Sequence, residues 1–181
     1  MALISLPDRA EVDAADSPQL PPYLQCVPYA RRVTGIQIYG DAHTWWGQAE
    51  GRYARGFRPK VGAVMALKPS GGSTLGHVAA VSRIVDSRTI LIRHSNWSLI
   101  NGRRGQIEDN VKVIDVSPDN DWSAVRVWYA PLQALGGSHW PVQGFIYPAK
   151  PKKGEKPDQP AAKATPSRDP IGDIIKRKMK W

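Results

Sequence analysis

A chain of 181 residues with 41% hydrophobic content is long enough for one domain with its own core, plus extensions. Its formal charge of +9 is uneven: residues 150–181 hold ten basic and four acidic residues, leaving fifteen basic against twelve acidic in residues 1–149. The single cysteine excludes an intramolecular disulfide, no apolar run reaches membrane-spanning length, and no zinc-finger spacing or RNA-binding signature supports a nucleic-acid reading.

Residues 1–22 read as an irregular leader rich in Asp, Ala, Ser and Pro, closed by Pro18, Pro21 and Pro22. Its start has neither a basic segment nor a sustained apolar stretch, so it lacks the pattern of a secretory signal. A domain follows over residues 23–148. Cys26-Val-Pro-Tyr-Ala-Arg-Arg-Val predicts a helix, because proline is tolerated in a first helical turn and Gly35 stands ready as a stop. Asp41 is placed to cap a second helix running through Trp45, Trp46, Ala49 and Tyr53. After Gly56 the pattern changes to short β-branched or apolar runs: 61–67, 77–85, 89–93, 111–116, 124–129 and 144–147. Turn signals at Lys68-Pro-Ser-Gly-Gly72 and Asp86-Ser-Arg88 separate the early ones. Helices followed by consecutive strands predict an α+β fold with an antiparallel sheet. Residues 149–181 form a basic Pro/Lys-rich tail expected to be disordered, with Ile171, Ile174 and Ile175 spaced for a short terminal helix.

The chemistry centres on Cys26. At a helix N-terminus, free N–H groups and the positive end of the helix dipole favour a thiolate, the attacking form of a cysteine. A buried, inert cysteine is the common alternative, and it gains nothing from that position. His77 follows Gly76 and opens an apolar strand. His94, Ser95 and Asn96 end the next strand. The two strands read as a hairpin turning near Asp86-Ser87, which sets His77 nearly opposite His94 and brings a base to a polar orienting group. Asn96, two residues beyond His94, shares its face if the segment stays extended. Among the tryptophans, Trp45, Trp46 and Trp97 are candidates to line a groove, and Trp97 is the nearest to this constellation. Zinc ligation by Cys26, His77 and His94 is disfavoured by the lone cysteine and the absence of short-range ligand spacing.

These residues resemble a known family. Gln25-Cys26-Val-Pro-Tyr29-Ala30, Pro59-Lys-Val-Gly62-Ala-Val-Met65, Gly76-His77-Val-Ala-Ala-Val81 and His94-Ser-Asn96-Trp97, in this order, are similar to the CHAP domain of the NlpC/P60-like group of papain-type cysteine hydrolases. The resemblance covers residues 23–129 and none of the tail. It implies a papain-like fold with N-terminal helices packed on an antiparallel β-sheet. It implies a cysteine hydrolase with Cys26 as nucleophile and His77 as base, and peptidoglycan as substrate, cut as an amidase or an endopeptidase. A cysteine amidase on a soluble peptide conjugate or protein, and a non-catalytic wall-binding or partner-binding domain, are the other readings. His94 stands where many CHAP domains have an acidic residue, although related enzymes use histidine there; Asn96 is the alternative orienter. Gln25, Trp97 and Tyr29 are the expected substrate contacts, and Gln25 is equally placed to help hold an oxyanion or to cap the helix. No cofactor and no metal are expected. The expected partners are peptidoglycan, a regulator or immunity protein, and an anionic surface for the tail. The expected location is the periplasm or the cell exterior, reached after removal of a signal or by a non-standard route, with the cytoplasm as the alternative.

Overall fold

The computed structural model describes residues 24–157. The leader and most of the basic tail, including the terminal helix expected from Ile171 onward, lie outside the described residues.

The chain enters through helix α1 (Cys26–Thr34), which stops at Gly35 in the left-handed region at φ 75°, as its sequence predicts. The second helix is far shorter than its sequence suggests. A 3-10 turn (Ala42–Thr44) leads into the four-residue α2 (Trp45–Gln48), and a turn at Gly51, with φ 69°, closes it off. Strands follow: β1 (Arg55–Gly56), β2 (Val64–Leu67), β3 (His77–Ile84), β4 (Thr89–Ser95), β5 (Ile107–Asp115), β6 (Ala124–Tyr129), β7 (Ala134–Leu135) and β8 (Trp140–Ile146).

The α+β expectation of helices packed on an open sheet is overturned. β2, β3, β4, β5, β6 and β8 are joined edge to edge by antiparallel pairing, and β8 pairs with β6 as well as with β2, so six strands close into a barrel. The molecule is mostly β, with two short helices among the described residues. Closure rests on Ala124↔Pro141 and Val125↔Trp140. Those pairs are far apart in sequence, and β8 starts on Trp140-Pro141, where the proline masks the strand signal, so periodicity alone does not reveal them. Register shifts between Ala66 and Leu67, between Val81 and Arg83, and between Ile92 and His94 supply the bends that a closed sheet of this size needs.

Two clusters of buried side chains follow from strand alternation. Met65, Leu67, Ala79, Val81, Ile90, Ile92, Val111, Val113, Val125, Val127, Val142 and Phe145 come from all six barrel strands and fill its interior. Val64, Ala66, Val78 and Ile146 face the other way and pack with Ala30, Ile36, Ile38, Ala42, Trp45 and Ala49. The second cluster is the outer layer that seats α1 against β3. His77 pairs in register with Leu67 and lies two residues before Ala79, so it belongs to the interior side, at one end of the barrel.

Candidate active site

Cys26 is the first residue of α1 and packs, with Val27, against the outer cluster. Burial pushes its thiol up, and the backbone amides of Val78, Val27 and Cys26 itself pull it back down. The Val78 amide belongs to the residue after His77, so the helix start delivers the sulfur to the strand that carries the histidine. Gln25 is the N-cap residue but forms no capping hydrogen bond through its side chain. It is exposed and lines the cleft beside Cys26.

Gly76 positions His77. Its φ is 68°, and a Cβ there would lie 2.6 Å from the Leu67 carbonyl oxygen. Only glycine takes that turn at no steric cost. His77 is buried, and burial lowers its pKa from 6.5 to about 3. Its Nε2 lies 3.0 Å from His94 Nδ1, so the two rings share one proton across that contact. His94 is buried at 1% exposure, and burial followed by its neighbour His77 hold its pKa well below the ordinary value. Of the two candidate orienting groups, His94 is the one that touches His77. Asn96 lies just past the end of β4 with φ 62°, a left-handed turn that breaks the alternation expected of it, and its Oδ1 is buried without a hydrogen-bond partner.

Trp97 packs against both histidines, with ring centroids 4.8 Å from His77 and 5.5 Å from His94, and meets Trp140 at 5.0 Å. Trp45 is fully buried in the outer cluster and Trp46 packs against that cluster, so of the three groove candidates only Trp97 reaches the cleft. Tyr29 is buried under α1 and is not among the residues lining the cleft.

A cleft of about 910 Å³ joins these groups. Cys26, His77, Asn96 and Trp97 line it together, along with Trp140 and Tyr129, which the sequence reading did not single out. That volume suits an extended ligand of peptide size. Arg31, Lys68 and Arg104 line it against one carboxylate, Asp41.

The sequence reading also missed Glu108. β5 opens at Ile107, four residues before the predicted strand, and Glu108 is the register partner of His94. Its side chain is buried. Oε1 accepts from the Ser98 backbone N–H at 2.8 Å and Oε2 from the Ser98 hydroxyl at 2.7 Å, while Oε1 lies 3.9 Å from His94 Nε2. Cross-strand pairing was the signal that would have found it, and that is invisible until the strands are paired.

The arrangement offers a thiol at a helix start, an imidazole with one nitrogen engaged, and a second imidazole behind it. No group of three or more His, Cys, Asp or Glu side chains suited to hold a metal ion occurs among the described residues. No helix among them is long and apolar enough to cross a membrane. No curated protein matches the chain. Residues 16–96, the stretch carrying Cys26, His77, His94 and Asn96, match the family profile of the CHAP domain, a cysteine/histidine-dependent amidohydrolase/peptidase domain.

Proposed function

We propose that the protein is a peptidoglycan hydrolase that cuts an amide bond of the bacterial wall with Cys26 as nucleophile and His77 as general base. The observation that carries the reading is the cleft into which Cys26 and His77 both open, with His77 Nε2 held 3.0 Å from His94 Nδ1. Since His94 occupies Nε2, Nδ1 is the ring nitrogen of His77 left to take the thiol proton. Burial favours the uncharged forms of both groups, so the resting pair is a thiol and a neutral imidazole. The proton then moves to His77 as the sulfur attacks the amide carbonyl. Backbone N–H groups at the start of α1 stabilise the oxyanion, with Gln25 beside them. His77 returns the proton to the leaving amine, and water releases the thioester.

Three features support a wall substrate. The cleft, at about 910 Å³, has the volume for a peptide, and its excess of Arg31, Lys68 and Arg104 over Asp41 suits a ligand bearing carboxylates. Trp97 and Trp140 provide flat apolar faces beside the site. On this reading the enzyme works in the periplasm or outside the cell. Mass spectrometry of purified peptidoglycan digested with wild type and with Cys26→Ala tests it. Fragments released by wild type alone are expected, and their masses name the bond. Intact peptidoglycan after both digests, with thiol-dependent cleavage of small soluble amides, would replace the wall substrate by a soluble one.

A further inference from the structure

The CHAP-like site is short of a carboxylate. His94 touches the base where an acid would stabilise an imidazolium, and a neutral imidazole orients only if its own tautomer is fixed. A neutral histidine pair in contact has two arrangements. If His94 carries its proton on Nε2, its Nδ1 accepts from His77 Nε2–H, and His77 Nδ1 is left with the lone pair a base needs. If His94 carries it on Nδ1, that N–H donates to His77 Nε2, the His77 proton sits on Nδ1, and the base is blocked.

The surroundings of His94 choose between them. Its Nε2 is buried with no hydrogen-bond partner among the described residues, and the nearest charged group is the Glu108 carboxylate at 3.9 Å. That distance is within ion-pair range and too long for a hydrogen bond. Glu108 cannot swing away, because Ser98 donates to both of its oxygens. The Ser98 hydroxyl accepts from the Ala130 backbone N–H at 3.2 Å, which leaves its own hydrogen for Glu108. The clamped carboxylate is therefore an acceptor facing His94 Nε2, and a lone pair on that nitrogen would point at oxygen lone pairs.

Glu108 reaches this position through a bulge. Ile92 pairs with Val111 but His94 pairs with Glu108, so β5 spends one more residue than β4 over that interval, and Asn110 takes φ 53° to do it. Without the extra residue Asp109 would face His94; instead Asp109 turns outward to Arg93 at 3.6 Å. Re-aiming one side chain is a recurrent use of a bulge.

We infer that Glu108 is a positioning residue that acts through His94: the Ser98-clamped carboxylate holds the His94 proton on Nε2, which keeps the His77 proton on its own Nε2 and leaves His77 Nδ1 free for the Cys26 thiol. The inference rests on the Cys26–His77 reading for its catalytic meaning and on the geometry for the tautomers.

The test is imidazole ¹⁵N NMR of the full chain at neutral pH, with His77 and His94 assigned by single His→Gln variants. Wild type is expected to show both rings protonated at Nε2. Glu108→Leu keeps roughly the side-chain volume and removes the acceptor that faces His94; it is expected to shift a measurable share of both protons to Nδ1 and to lower kcat at least 10-fold with little change in KM. A wild-type His94 protonated at Nδ1 overturns the inference. So do tautomers that stay the same in a folded Glu108→Leu. The expected tautomers in a wild type that releases no amide product would uphold the role of Glu108 while removing the hydrolase reading. If Glu108→Leu does not fold, the wild-type spectrum alone decides.

Discussion

At His77 and His94, burial opposes protonation strongly enough to reach the stability of the whole chain. The folded His77 pKa is about 3 against 6.5 for an unperturbed imidazole, and that of His94 is lowered too. Between those limits the unfolded chain binds protons that the folded chain excludes, so stability rises with pH there. The contribution is fully present above about pH 6.5 and is lost progressively as pH falls toward 3, at about 1.4 kcal/mol per pH unit for each excluded proton. Thermal melts are expected to show Tm dropping steadily from pH 7 to pH 4. A Tm that holds flat across that range would mean the two rings are solvated in the folded protein. Cys26 sits under the same desolvation but with three backbone amides opposing it, which suits its proposed role as the group that becomes charged during reaction. The residues proposed to carry chemistry stood out by type: a lone cysteine at a predicted helix start, and two histidines at roughly equal distances from a hairpin bend. Their partnership with Glu108 did not, since nothing in Ile107-Glu108-Asp109-Asn110 alternates, and the strand is recognised only by what it pairs with.

Among the elements, the turn before β3 is the most exacting. Gly76 combines φ 68° with a backbone oxygen where a Cβ would stand, and His77 comes directly after it. Gly76→Ala is expected to cost at least about 1 kcal/mol of stability through its positive φ alone. Because relief of the clash with Leu67 displaces the neighbouring imidazole, the same variant is expected to lose 10-fold or more in turnover. Equilibrium denaturation and steady-state kinetics on one preparation check both; an alanine variant with wild-type values for each would show that this backbone is free to shift. The element-scale reading was strongest where local signals were strong. α1 starts at Cys26 and stops at Gly35 because a first-turn proline and a glycine stop speak for themselves. α2 fell short because the cap-like Asp41 makes no capping bond, leaving only four α-helical residues after the 3-10 turn.

For the whole molecule, the difference between an open sheet and a closed barrel lies in one non-local pairing, β6 with β8. Each strand has a pattern compatible with either architecture. The buried runs Val64–Leu67 and Val78–Val81, apolar on both faces, are segments whose sequence hints that a sheet must be covered on both sides, by the barrel core within and the helical layer without. Hydrogen exchange is expected to sort the amides accordingly. Those of β3, β4 and β5 should exchange only through global unfolding, and those of α1 through a smaller opening. Equal protection in α1 and the barrel would show that the two layers open as one.

That layering divides the reaction between two bodies of different firmness. His77, the proposed base, is built into the wall of a closed barrel, while Cys26, the proposed nucleophile, rides on a nine-residue helix laid over its outside. A fluctuation that lifts the helix separates sulfur from imidazole and leaves the barrel whole. The protein therefore has a route to silence that needs no denaturation.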